Sequence, residues 1–132
     1  MLRLGGLFLL AALAGCIEAN APDTITGDWG GQHLGLVASL SGATLEYDCA
    51  TGTIVAPIRP DARGRFSVAG EHFPGHGGPV RSDEEPVRRP ARYDGVVRGT
   101  SMELTVTLTD SNTVVGSFTL VYGRSPLVFK CV

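Results

Sequence analysis

The chain has 132 residues, with 11 basic and 13 acidic side chains and a formal charge of −2 at pH 7. This length supports one domain with a modest core and excludes two separate cores. The charge argues against a nucleic-acid partner, because such binding needs a concentrated basic face.

The first fifteen residues have the pattern of an export signal. Arg3 is followed by an almost unbroken apolar run over residues 4–13. About 20 apolar residues are needed to span a bilayer, so this run is too short for a transmembrane helix. We therefore expect residues 1–15 to be removed as a signal peptide.

The quartet Leu13, Ala14, Gly15 and Cys16 at the end of this run resembles the lipobox of bacterial lipoproteins. The resemblance implies cleavage before Cys16, a diacylglycerol on its thiol and usually an acyl chain, such as palmitate, on its amine. Two or three acyl chains anchor a protein stably, because each buried methylene contributes about 0.8 kcal/mol. The alternative is an ordinary signal peptide and a secreted protein in which Cys16 has no role.

The resemblance also predicts a location and a domain plan. Ile17 follows the cysteine, where many lipoproteins kept at the inner membrane of Gram-negative bacteria have an aspartate. We expect a lipid-anchored protein of the bacterial cell envelope, at the outer membrane if the organism is Gram-negative. Residues 16–24 read as a lipidated tether and residues 25–132 as the folded domain.

Two cysteines remain once Cys16 is acylated. Cys49 and Cys131 form an even pair in an exported protein, which predicts a disulfide bond. Two buried free thiols are the alternative. We expect no metal site, because no nearby Cys or His completes a compact ligand set, and no cofactor.

Short strands account for most of the remaining chain. Residues 102–109 alternate apolar and polar side chains, which indicates a strand with one solvated face. Flanking segments complete a predicted antiparallel meander of three strands. The predicted strands, in chain order, cover residues 29–40, 44–49, 53–58, 65–70, 93–98, 102–109, 117–122 and 127–131.

About eight short strands predict an all-β fold, a small antiparallel up-and-down barrel. The triplet Gly27, Asp28 and Trp29 resembles the glycine-x-tryptophan of the first strand of lipocalins and other calycins. In those families a basic residue near the last strand often packs across the tryptophan. The resemblance implies a lipocalin-like barrel in which Arg124 packs on Trp29 as a structural plug.

A long loop interrupts the strands at residues 74–92. It contains four prolines, three glycines and mixed charge. A solvated, salt-bridged loop is one interpretation. The other is a binding site for phosphate, carboxylate or an acidic partner, because guanidinium groups bind these anions bidentately; its candidate residues are Arg81, Arg88, Arg89 and Arg92.

Two histidines in this region, His72 and His76, stand four residues apart and give only a weak indication of zinc. No Gly-x-Ser-x-Gly motif is present, and the paired carboxylates Glu84 and Glu85 are adjacent in the loop, so we expect no enzymatic activity.

The sequence therefore predicts a membrane-anchored, non-catalytic binding module, and two kinds of partner stay open. A lipocalin-like carrier would hold a small apolar ligand inside the barrel. A protein-interaction module, such as an inhibitor of an envelope enzyme, would fill its interior with side chains. The side chains predicted to face the core are Leu36, Phe66, Val97, Leu104, Val106 and Phe118.

Overall fold

The computed structural model describes residues 23–132. The predicted signal peptide, Cys16 and most of the tether lie outside these residues. Within the described part of the chain, no helix is long and apolar enough to cross a membrane.

The fold is all-β, as predicted. Eight antiparallel strands, connected in chain order, form one closed up-and-down barrel. The strands are β1 (Gly27–Gly31), β2 (Leu34–Ser39), β3 (Gly42–Tyr47), β4 (Ala50–Ile54), β5 (Arg65–Pro74), β6 (Arg89–Arg98), β7 (Ser101–Leu108) and β8 (Thr113–Tyr122).

The predicted number of strands is right, but three of the predicted strands are wrong. Of the strand predicted over residues 53–58, only Thr53 and Ile54 lie in a strand, at the end of β4. The segment from Trp29 to Leu40 is a hairpin, because Gln32 and His33 form a turn in which His33 has a φ of +70°. The segment from Leu127 to Cys131 is not a strand of the barrel. It contributes a single parallel bridge, from Leu127 to Gln32.

The core fills the inside of the barrel and follows from the alternation of side chains along each strand. Four of the six predicted core residues are buried, and Val97 and Phe118 are partly buried against them. The largest side chains with under 2 % exposure are Tyr93, Leu34, Leu36, Ile58, Met102, Leu104, Leu120 and Val106.

The two ends of the barrel differ. The chain enters the barrel at one end, where the Ile25 amide donates to the Ile58 carbonyl at 2.8 Å. We call this the entry end; it also contains the turns at residues 40–41 and 99–100 and the loop at residues 55–64. The opposite end, the loop end, contains the turns at residues 32–33, 48–49 and 109–112 and the long loop.

The long loop is shorter than predicted and covers residues 75–88. Its two sides are strands, because β5 continues to Pro74 and β6 begins at Arg89. Two of the candidate arginines, Arg89 and Arg92, therefore lie on a strand and not in the loop.

Candidate functional site

Residues 123–132 form a C-terminal strap that runs from the entry end back to the loop end. The strap crosses the outer face of β1 and β2, where Gly30 and Gly35 are paired neighbours. A Cβ atom on Gly30 would lie 2.1 Å from the Arg124 carbonyl oxygen, and one on Gly35 would lie 2.8 Å from the Pro126 ring. The two glycines therefore leave the space that the strap occupies.

The strap is fastened to two turns of the loop end. The Leu127 amide donates to the Gly31 carbonyl at 3.0 Å, and the His33 amide donates to the Leu127 carbonyl at 2.8 Å. The Phe129 amide donates to the Asp48 carboxylate at 2.7 Å. The pKa of Asp48 lies below its usual value, chiefly because this amide bonds to its carboxylate. His33, whose Nδ1 lies 2.5 Å from the same carboxylate, adds a smaller effect in the same direction.

The predicted disulfide is present. Cys49 and Cys131 are bonded with their Cα atoms 4.7 Å apart. Neither cysteine lies on a strand, however, although the strands predicted over residues 44–49 and 127–131 include them. Cys49 lies in the turn after β3 with a φ of +53°, and Cys131 lies in the strap. The disulfide therefore joins the strap to the loop end and does not cross the core.

An apolar groove of about 540 Å³ lies beside the disulfide. Thr51 and Phe73 form part of its floor and are paired neighbours on the outer face of β4 and β5. The groove is therefore on the outside of the barrel wall, between the strap and the long loop. Its apolar lining consists of the disulfide, Ala50, Phe73, Pro74, Val80, Pro86 and Val87.

Polar contacts hold the long loop beside this groove. The Arg88 guanidinium lies 5.8 Å from the centre of the Phe73 ring and 3.4 Å from the Glu71 carboxylate. His76 Nε2 lies 2.5 Å from Glu84. The pKa of His76 is raised, first by the Gly77 carbonyl, which accepts a hydrogen bond from Nδ1, and second by Glu84. The protonated imidazole thus bonds at both nitrogens.

The four candidate arginines do not form a free anion site. Arg81 lies 3.4 Å from Asp83, and Arg92 lies 2.8 Å from Asp94. Arg88 pairs with Glu71 as described above. Each of the four therefore has an acidic partner, which supports the salt-bridged interpretation over the anion-binding one.

Arg89 pairs with Asp110 through two of its nitrogens. Its Nε donates to Asp110 at 3.0 Å, and one terminal nitrogen donates to the same carboxylate at 2.8 Å. The bond between them raises the pKa of Arg89 and lowers that of Asp110. Because Arg89 and Asp110 lie on β6 and in the turn before β8, the pair connects two neighbouring parts of the loop end.

The structural plug implied by the lipocalin resemblance has a different partner. Trp29 is buried, and its Nε1 donates to the Thr26 carbonyl at 3.1 Å. The ring packed on it is that of Tyr122, edge to face, with centres 5.3 Å apart. Arg124 is exposed, and among the described residues the cation–π contact is that of Arg88 on Phe73.

Sequence reasoning did not identify a buried polar cluster inside the barrel at the loop end. Tyr47 and His72 are both 5 % exposed, and their rings pack edge to face at 5.1 Å. The Tyr47 hydroxyl and His72 Nδ1 have no hydrogen-bond partner among the described residues. Burial and then Arg89 lower the pKa of His72, so this histidine is neutral near pH 7.

The third member of this cluster is Tyr93, which is fully buried. Its hydroxyl donates to the Glu71 carbonyl at 2.7 Å. Burial raises the pKa of both tyrosines, and for Tyr47 the neighbouring Tyr93 adds to the effect. A Cβ on Gly52 would lie 2.5 Å from the Tyr93 hydroxyl, so the missing side chain makes room for it.

The two histidines considered for zinc face different spaces. His72 points into the barrel, while His76 belongs to the long loop and pairs with Glu84. In residues 23–132, no three His, Cys, Asp or Glu side chains group to hold a metal ion.

Comparison of the chain with models of protein families, with curated proteins and with solved structures gave no match.

Proposed function

We propose that this protein is a lipid-anchored binding module of the bacterial cell envelope that holds an apolar segment of a protein partner in the external groove. The observation that carries the proposal is the groove itself: it is apolar, about 540 Å³ in volume and braced by the disulfide. Binding pockets commonly have volumes of roughly 300 to 1,000 Å³.

The filled interior favours a protein partner over a carried small ligand. A lipocalin-like carrier needs space inside the barrel, yet the inward side chains from Leu34 through Leu120 pack into one cluster. The groove, by contrast, opens on the surface. The strap residues Phe129 and Val132, which flank its lining residues Lys130 and Cys131, are exposed, and exposed apolar surface is typical of protein interaction sites.

The charges around the groove indicate the composition of the partner segment. Residues 32–33, 46–51, 71–92, 108–113 and 127–132 at the loop end carry five basic and seven acidic side chains, or 5 − 7 = −2. Glu46 and Lys130 line the groove together with the paired His76 and Glu84, so the negative charge comes from the wider loop end. A segment with an aromatic or aliphatic residue next to a basic one complements this surface.

The position of the groove suits an anchored protein. The chain enters the barrel at the entry end, while the groove lies at the loop end. A lipid on Cys16 would therefore leave the groove facing away from the membrane and open to partners, including an envelope enzyme that the module inhibits.

Two measurements test the proposal. Mass spectrometry of the mature protein is expected to find acyl chains on Cys16, and the Cys16→Ser variant is expected to lose membrane fractionation. An unmodified Cys16 with unchanged fractionation would overturn the anchor.

The groove is tested by placing a photo-crosslinking amino acid at Val87 in cells, with Val115 as the control. Val115 is partly exposed on β8 and does not line the groove. We expect a protein adduct from position 87 that is absent from position 115 and lost in Phe73→Ala. Equal adducts at both positions, or adducts with lipid only, would contradict a protein partner in the groove.

A further inference from the structure

The entry end carries the arginines that have no ion-pair partner. The sequence drew attention to four arginines near the long loop, and all four are paired. The described residues contain five other arginines, which are Arg59, Arg63, Arg65, Arg98 and Arg124. All five are exposed, and none of them makes a salt bridge within the described part of the chain.

These five arginines lie together at one end of the barrel. Arg59 and Arg63 are in the loop before β5, and Arg65 is the first residue of that strand. Arg98 ends β6, and Arg124 follows β8. Because antiparallel strands alternate in direction, all five positions belong to the entry end.

The acidic groups at this end are one fewer than the arginines, and one of them is engaged by backbone amides. The Asp61 carboxylate accepts from the amides of Arg63 and Arg65 at 2.8 and 2.9 Å, and these bonds lower its pKa. The other carboxylates are those of Asp23, Asp28 and Glu103. With five arginines against four carboxylates, the entry end has a net charge of 5 − 4 = +1, in contrast to −2 at the loop end. Asp94, midway along β6, is paired with Arg92 and is counted at neither end.

Exposed apolar side chains stand beside the arginines. Leu40, at the tip of the turn after β2, is 73 % exposed, and Val55, after β4, is 89 % exposed. Val37, on the outer face of β2, is 55 % exposed and lines one concavity with Val55. Aliphatic tips next to unpaired guanidinium groups are suited to a surface that is anionic outside and apolar beneath.

The described chain also begins at this end. Asp23 is at most about 25 Å from Cys16 along an extended chain, at roughly 3.6 Å per residue. A lipid on Cys16 would therefore hold the entry end close to the bilayer.

From these observations we infer that the entry end is a membrane-docking face that rests on anionic lipid headgroups, with its arginines on the phosphates and Leu40 and Val55 in the interface. The inference deepens the proposed function, because it rests on the lipid anchor to bring this end to the bilayer. It assigns the barrel one orientation, with the groove directed away from the membrane.

The test measures which end of the full-length protein touches the bilayer. Val55→Trp places a fluorophore at the entry end, and Val114→Trp is the control at the loop end, where Val114 is 59 % exposed. Both proteins are reconstituted into vesicles of phosphatidylcholine and phosphatidylglycerol with brominated acyl chains, which quench nearby tryptophan. The ten residues of β5, at about 3.3 Å each and tilted by about 40°, separate the ends by roughly 25 Å.

We expect quenching of Val55→Trp and none of Val114→Trp beyond the Trp29 background. The triple variant Arg59→Gln, Arg63→Gln, Arg98→Gln should lower the ratio of docked to undocked barrels by roughly 100-fold, and so remove the quenching. The matched control Arg81→Gln, Arg88→Gln, Arg92→Gln loses the same charge and should keep it. Unchanged thermal unfolding checks that each variant is folded.

Equal quenching at the two positions, no quenching at either, or equal effects of the two triple variants would overturn the docking face. The anchor is read separately, from the acyl mass on Cys16 in the same samples. Quenching in a protein without this mass would contradict the lipid anchor but support the docking face. An acylated protein without quenching would support the lipid anchor but contradict the docking face.

Discussion

The disulfide is expected to be worth several kilocalories per mole although it lies outside the core. Cys49 and Cys131 are 82 residues apart, so the bond closes a loop that includes β4 to β8. The chain-entropy relation assigns such a loop about 4.5 kcal/mol at 25 °C, mainly by restricting the unfolded chain. This is a large share of the 5 to 15 kcal/mol that is typical of native proteins.

The perturbation is the double variant Cys49→Ser, Cys131→Ser, measured by unfolding in guanidinium chloride. With a slope of about 3 kcal/mol per molar, the midpoint should fall by roughly 1.5 M. The parent protein in a reducing buffer should show the same midpoint as the variant. A fall of less than about 0.3 M, or about 1 kcal/mol, would refute the reasoning, because the bond would then not restrict the unfolded chain as the relation assumes.

Two further predictions concern His72 and Gly30. The pKa of His72 lies below 6.5 in the folded protein, so below pH 6.5 the unfolded chain binds more protons and the free energy of unfolding falls as the pH is lowered. His72→Gln should reduce this slope between pH 5 and 7 in denaturant titrations, and an unchanged slope would show that His72 is not its source. Gly30→Ala should displace the strap at a cost of about 1 to 3 kcal/mol, seen as faster amide exchange at Leu127 and Phe129. Thr44→Ala, on the exposed wall of the barrel, is the control and should leave the exchange unchanged. If the amides of Leu127 and Phe129 stay protected from exchange in Gly30→Ala, the close approach of the strap to Gly30 is contradicted.

Local alternation was sufficient to predict most of the barrel. The alternation over residues 102–109 predicted β7 almost to the residue, because one face of that strand is buried and the other solvated. The turn at Gln32 and His33 was missed because its sequence contains neither glycine nor asparagine, although His33 adopts a positive φ. The strap alternates like a strand, but it pairs with Gln32 through a single bridge and bonds to the side chain of Asp48.

The sites depend on register and distance along the chain, which composition does not reveal. Arg89 lies opposite Asp110 only once β6 and β7 are paired, so the sequence could not show that its charge is engaged. The groove combines strands β3 to β5, the long loop and the strap, and its two cysteines are 82 residues apart. The unpaired arginines of the entry end are likewise scattered over residues 59–124.

The closing seam of the barrel has a consequence for the behaviour of concentrated protein. β1 pairs with β8 only through Trp29 with Tyr122 and Gly30 with Val121. The first half of β8, from Thr113 to Phe118, extends beyond the paired residues of β1, and β8 contains no charged side chain. An uncharged strand edge is a template for strands of other molecules, so crowding favours ordered self-association that starts at this seam. Thr113→Lys should delay the onset of such assembly.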